Sequence, residues 1–193
     1  MQLIFATNNA HKVSEIQRAI PAGFEVLSLK AAGIHVDIPE PRETLEENAS
    51  EKSGVILQLT LQNCFSEDTG LEVDALQGAP GVRSARYAGD DANATQNVAK
   101  LLATMQHQTN RAARFRTVIS LRFNGQEHLF EGICNGHIAT EIKGSEGFGY
   151  DPVFVPDGDT RCFAEMNMTE KNAYSHRAKA VAKLFAFLAT QNG

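Results

Sequence analysis

The run FRTVISLRFNGQEHLFEGICNGHIATEI, Phe115 to Ile142, decides the fold. It consists of two stretches rich in Val, Ile, Leu and Phe, split by Asn124-Gly125. That dipeptide tolerates the two positive φ angles of a type I′ turn, so the run predicts a long-armed β-hairpin. Strand and helix patterns continue on both sides of it. NCFS (63–66) and LEVD (71–74) read as short strands, with a glycine-containing turn, Glu67-Asp68-Thr69-Gly70, between them. QLIFA (2–6) reads as a strand. Thr7, Asn8 and Asn9 follow as turn or cap residues, and a helical pattern at Val13, Ile16, Ala19 and Ile20 is stopped by Pro21 and Gly23. FEVLSL (24–29) is a second strand. Thr44-x-x-Glu47 is a capping-box signature opening a helix to about Leu61, with Val55, Ile56 and Leu59 facing the core. HRAKAVAKLFAFLATQ aligns Val181, Leu184, Phe185 and Leu188 on one side of a final helix. The fold class predicted is mixed α/β, with a cleft bordered by strand-to-helix turns.

Composition narrows the function. At 193 residues the chain is expected to form one domain, 1–193, or one domain with two lobes. A net charge of -5 argues against a general nucleic-acid or membrane-surface binder, since either needs a basic face to displace counterions. Met1 to Asn9 has no basic region ahead of its apolar run and no small-residue cleavage site, so a cytoplasmic location is expected. Cys64, Cys134 and Cys162 are scattered and read as reduced thiols. No His or Cys spacing suggests zinc, no Gly-x-Ser-x-Gly elbow suggests a serine hydrolase, and no Walker loop occurs.

Four segments carry candidate chemistry. Thr7-Asn8-Asn9-Ala10-His11-Lys12 sits where a strand meets a helix, so helix-start amides and Lys12 make an anion site, unless Asn9 only caps and Lys12 is solvated. Glu67 and Asp68 are adjacent acids. In extended backbone they point to opposite faces, so Asp68 is expected in the site, where paired with another acid it could hold Mg²⁺. In GSEGFGYDPVF (144–154), Phe148 or Tyr150 offers a ring for a base, Gly149 a close approach and Asp151 an acceptor. Ser175-His176-Arg177, with Lys171 upstream, offers a helix-start histidine and a fork for phosphate or a purine edge.

Taken together and in order, ATNNAHK, EENA with Lys52, SEDTGLEVDALQGAPGVRSARYAG, FGYDPVF and SHR resemble the inosine triphosphate pyrophosphatase family, over nearly the whole chain. The resemblance implies Mg²⁺-dependent hydrolysis of ITP, dITP and XTP to monophosphate and pyrophosphate, by a homodimer. It also implies an elongated twisted central sheet flanked by helices, in two lobes with the active-site cleft between them. Carried over by residue, it implies that Thr7, Asn8, Asn9 and Lys12 bind the triphosphate, and that Glu47 with Asp68 holds the metal. Asp68 would be the proton acceptor, with Thr69 and Lys52 contacting substrate. Phe148, Gly149, Tyr150, Asp151, Lys171, His176 and Arg177 would embrace the nucleoside. Asn8, Glu67 and Thr69 depart from the glycine, aspartate and serine common in the family. Two other readings stay open: a septum-inhibitor (Maf-like) pyrophosphatase acting on pyrimidine nucleotides, and a nucleotide-binding module without turnover.

Overall fold

The computed structural model describes residues 1–91 and 93–191. In chain order these form β1 (Gln2–Phe5), α1 (Ala10–Gln17), β2 (Glu25–Ser28), α2 (Leu45–Thr60), β3 (Cys64–Val73), β4 (Pro80–Gly81), α3 (Ala94–Thr104), β5 (Ala112–Phe123), β6 (Gln126–Ile138), β7 (Phe154–Pro156), α4 (Met168–Tyr174) and α5 (His176–Thr190). Short 3-10 turns intervene. The mixed α/β class expected from the sequence is the one found. The chain divides into two compact units, each with its own core. The first comprises Met1–Asp68, Thr117–Gly132 and the C-terminal segment from Arg177; the second comprises Thr69–Arg116 and Ile133–His176.

In the first unit β1 pairs in parallel with β2, Gln2 opposite Glu25, and with β3, Phe5 opposite Phe65. Parallel neighbours need crossovers, and α1 and α2 supply them. The 117–132 hairpin follows beside β3 in the order β2-β1-β3-β5-β6. Its turn residues Asn124 and Gly125 have φ of 50° and 79°, as a type I′ turn requires. On α5, Val181, Leu184, Phe185 and Leu188 bury against Leu3, Phe5, Phe65, Ile119 and Leu121. Each such side chain contributes about 1.5–3 kcal/mol.

In the second unit the end of β3 pairs antiparallel with β4, and the end of β6 with β7. Leu71, Val98, Leu101, Phe115, Phe154 and Phe163 form the core. Asn93 and Asn167 open α3 and α4 as N-caps, with Gln96 and Glu170 completing reciprocal capping boxes. The three thiols are free and buried, and burial pushes Cys64 and Cys162 up to about 11. Among the described residues no helix is long and apolar enough to cross a membrane.

Three local expectations are corrected. Glu67-Asp68-Thr69-Gly70 is not a turn: β3 runs unbroken from Cys64 to Val73. Gly70 is small because β4 lies against it, where a Cβ would stand 2.6 Å from the Gly81 carbonyl oxygen. Helix α1 stops at Gln17, because Pro21 lacks the N–H that would close onto the Gln17 carbonyl, although Ala19 and Ile20 still pack on the core. Leu59 is 61% exposed, and the buried stripe of α2 runs through Leu45, Asn48, Ala49, Lys52, Ser53 and Ile56. Half of that stripe is polar, which is why counting apolar residues selects the wrong face.

Gly136 of β6 leaves no room for a side chain, since a Cβ would lie 2.1 Å from the Val155 carbonyl oxygen. Gly136→Ala is expected to cost about 1–3 kcal/mol by overpacking, and Leu59→Ser to stay within about 0.5 kcal/mol. Denaturant midpoints of the two variants check this.

Candidate active site

Alternation along β3 sends Glu67 and Asp68 to opposite faces, and both are buried, at 1% and 5% exposure. A buried carboxylate needs a cation and hydrogen bonds to stay charged. Glu67 has them from two helices. Arg177, at the start of α5, forks onto it, Nε to Oε2 at 2.7 Å and Nη2 to Oε1 at 2.9 Å. Arg177 is itself 2% exposed, and its third nitrogen, Nη1, donates to Glu15 of α1. Lys12, one turn before Glu15, places Nζ 3.1 Å from Glu67 Oε1. Burial alone would raise the Glu67 carboxyl, but Arg177 and then Lys12 hold it far below the usual carboxylate range.

Asp68 faces a different set within the same unit. Lys52 Nζ lies 3.4 Å from its Oδ1 and 2.5 Å from Glu40 Oε1, so one ammonium joins two acids. Asn48 Nδ2 donates to Asp68 Oδ2 at 3.2 Å. Burial pushes the Asp68 carboxyl up; Lys52 opposes that shift and Glu40 adds to it. The Lys52 ammonium is held above its ordinary value, Asp68 and Glu40 outweighing burial. Glu40 is carried by the segment after β2, where Ile34, Val36, Ile38 and Glu40 alternate with exposed neighbours. Asn8 Nδ2 donates to the Val36 carbonyl at 3.0 Å and helps seat that segment.

The second unit holds its own cluster. Asp151 is buried, and its Oδ2 accepts from Lys171 Nζ at 2.6 Å and from the Phe148 N–H at 2.8 Å. Lys171 Nζ also stands 5.2 Å from the Phe148 ring centre and 5.3 Å from that of Phe163. Gly147 has φ of 77°, and a Cβ there would meet Asp151 Oδ2 at 2.1 Å, so this loop requires glycine. Gly149 follows with φ of 64°. His176 stacks on Phe115 with ring centres 4.6 Å apart.

The predicted residues fall in several different settings. Asn9 caps α1, its Oδ1 accepting from the His11 and Lys12 amides, while Thr7 Oγ1 accepts from the Asn9 amide. Two helix-start amides are therefore already satisfied, yet Lys12 is no solvated surface charge, with a side chain only 15% exposed. Asn8 is not among the left-handed residues, so glycine's freedom is not needed there. Thr69 is half-buried in β3. Glu47 does not join Asp68. Its carboxylate accepts from the Thr44 hydroxyl at 2.9 Å and lines a cavity of about 600 Å³ with Arg42, Ser50 and Arg122. Tyr150 offers no ring to a base: it is buried in the second core, with its hydroxyl donating to the Ser84 carbonyl at 2.8 Å. The Arg177 fork is occupied by Glu67, whose carboxylate it positions. Glu40, Glu15 and Asn48 are the residues the sequence reading missed. For Glu40 a signal existed: it continues the period-two alternation of Ile34, Val36 and Ile38 between two prolines.

These features define a class, an α/β protein in which lysines from two helices meet two adjacent acids of one strand, a set suited to a polyanion with its cation. The chain belongs to the Ham1 family, which it matches over residues 3–187. It is 50% identical to a dITP/XTP pyrophosphatase of Porphyromonas gingivalis, over 97% of each chain. It is 48% identical to a dITP/XTP pyrophosphatase of Flavobacterium psychrophilum, over 97% of this chain and 98% of that one. Among solved structures, a HAM1 protein from Coxiella burnetii superposes with a TM-score of 0.90 at 33% identity, covering 98% of this chain and 99% of that one. The Staphylococcus aureus Ham1 protein superposes at 0.89 and 34%, covering 99% and 100%.

The Glu67 carboxylate has a pH signature. Its folded value lies below its ordinary 4.5, so the stability it contributes is fully present above about pH 4.5 and is lost as the pH falls toward the folded value. Glu67→Gln removes the forked acid from the buried Arg177 and leaves it Glu15 alone, at about 3 kcal/mol, roughly 6–12 °C in Tm at pH 7. The gap from wild type is expected to narrow as pH drops below 4.5, which thermal melts across pH measure.

Proposed function

We propose that the chain is a nucleoside triphosphate pyrophosphatase that hydrolyses dITP, ITP and XTP to the monophosphate and pyrophosphate with Mg²⁺. The observation that carries this reading is Asp68: a buried carboxylate in mid-strand, with Lys52 on its oxygen and Lys12 adding its charge. The donor set suits magnesium. Glu40 and Asp68 converge on one ammonium, and Mg²⁺ is usually bound by one or two carboxylates, with water and phosphate completing its shell. On this reading Glu40, not Glu47, is the second acid. When bound, the ion supplies charge neutralisation at the phosphate oxygens.

The chain's own residues do the rest. Lys12 and Lys52 hold the triphosphate and stabilise the charge that builds on it. Asp68 takes a proton from a water whose oxygen bonds to the α-phosphorus. The bond from that phosphorus to the bridging oxygen breaks, and pyrophosphate leaves. By the resemblance, Phe148 would offer its face to the base, and Lys171, already donating to Asp151, a further N–H to a 6-oxo purine. A 6-amino purine would set donor against donor, a mismatch of about 1–3 kcal/mol. The resemblance also supports a homodimer in the cytoplasm as the working form.

The test is product analysis with Mg²⁺ and ITP, XTP, ATP, GTP and dTTP, resolving pyrophosphate from orthophosphate. Pyrophosphate from ITP and XTP, with ATP and GTP nearly untouched, supports the reading. Orthophosphate release, a pyrimidine preference or binding without turnover contradicts it. Asp68→Asn is expected to lower kcat by about 10²–10⁴-fold with the fold intact by circular dichroism. Glu40→Gln is expected to lower turnover at least about tenfold and to raise the Mg²⁺ needed, and Glu47→Gln to stay within about threefold of wild type. The opposite ranking would return the metal role to Glu47.

A further inference from the structure

The Glu47-Asn48-Ala49 motif carries a second polar side chain, and that one is enclosed. Asn48 is 1% exposed and its whole carboxamide is committed. Oδ1 accepts from the Arg42 N–H at 3.0 Å, while Nδ2 donates to the Arg42 carbonyl at 3.3 Å and to Asp68 Oδ2 at 3.2 Å. The reciprocal pair with Arg42 fixes which end is the amide. A flipped carboxamide would set donor against donor and acceptor against acceptor. The end facing Asp68 is therefore always a donor.

Arg42 lies two residues beyond Glu40, in a stretch with neither helix nor strand. Clamping its backbone seats the loop that brings Glu40 to Lys52, and Lys52 reaches the other Asp68 oxygen. The two oxygens of Asp68 are thus held separately, Oδ1 by Lys52 and Oδ2 by Asn48. We propose that Asn48 is a positioning residue: one carboxamide orients the Asp68 carboxylate and seats the loop that delivers Glu40 to it. This rests on the reading of Asp68 and Glu40 as the working acids.

Hydrogen exchange and kinetics test it together. In the wild-type protein the Arg42 amide is expected to exchange at least about tenfold more slowly than an unprotected amide, although it lies outside regular structure. A freely exchanging Arg42 amide overturns the proposal without any variant, so the test survives even if Asn48 variants fail to fold. Asn48→Asp keeps the oxygen that accepts from Arg42, but loses the donor and faces Asp68 with a second acid. Its kcat for ITP is expected to fall about 10²-fold, with KM within about threefold. Asn48→Ala is expected, in addition, to speed Arg42 exchange. Arg42→Ala keeps the backbone and removes only an exposed side chain bonded to Glu51, so its kcat is expected within about twofold of wild type. A purely structural Asn48 would lower Tm and leave kcat of the folded protein unchanged, and that result overturns the proposal. If wild type hydrolyses ITP and Asn48→Asp matches it, this inference alone fails. If wild type hydrolyses no triphosphate, the proposed function fails and takes this inference with it.

Discussion

Two adjacent carboxylates buried in one strand have to be neutralised separately, because the strand sends them to opposite faces. Much of the first unit answers to that constraint. Arg177 at the start of α5 and Lys12 on α1 meet at Glu67, and Glu15 holds Arg177 from the far side. Lys52 and Asn48 of α2, with Glu40 of the preceding loop, meet at Asp68. The hydrophobic core gathers the helices on the sheet, and the charges fix how they are set, since a buried ion without its partner costs several kcal/mol.

The division of labour follows from the partners. Glu67 spends both oxygens on a buried arginine, so it is a structural anchor that holds Lys12 in place. Asp68 has a longer ion pair, an elevated carboxyl and a second acid nearby, the profile of a group kept ready for proton and metal chemistry. A triphosphate entering such a site competes with acids for lysines already in position, so little side-chain freedom remains to be lost on binding.

Much of this was legible in the sequence. The Asn124-Gly125 hairpin, the α2 cap at Thr44 and the apolar face of α5 are local signals, and each appears in the structure where it was expected. The unbroken β3 was not legible, because Glu, Asp and Gly are poor strand formers and here tertiary partners override propensity. The Glu67 to Arg177 pair spans 110 residues, and no spacing rule reaches that far. For Arg177 the sequence shows the donor but not the acceptor, and Glu67 as its partner appears only in the fold. The choice between Phe148 and Tyr150 as the exposed ring is open in the sequence for the same reason: an aromatic in a glycine loop looks alike whether it plugs the core or waits for a base.

The account turns on water attacking the α-phosphorus with Asp68 taking the proton, and isotope labelling reads that bond directly. Hydrolysis of ITP in ¹⁸O-water with Mg²⁺, followed by mass spectrometry of both products, is predicted to place the label in the monophosphate. Label in the pyrophosphate would mean attack at the β-phosphorus and would contradict the assignment of the site.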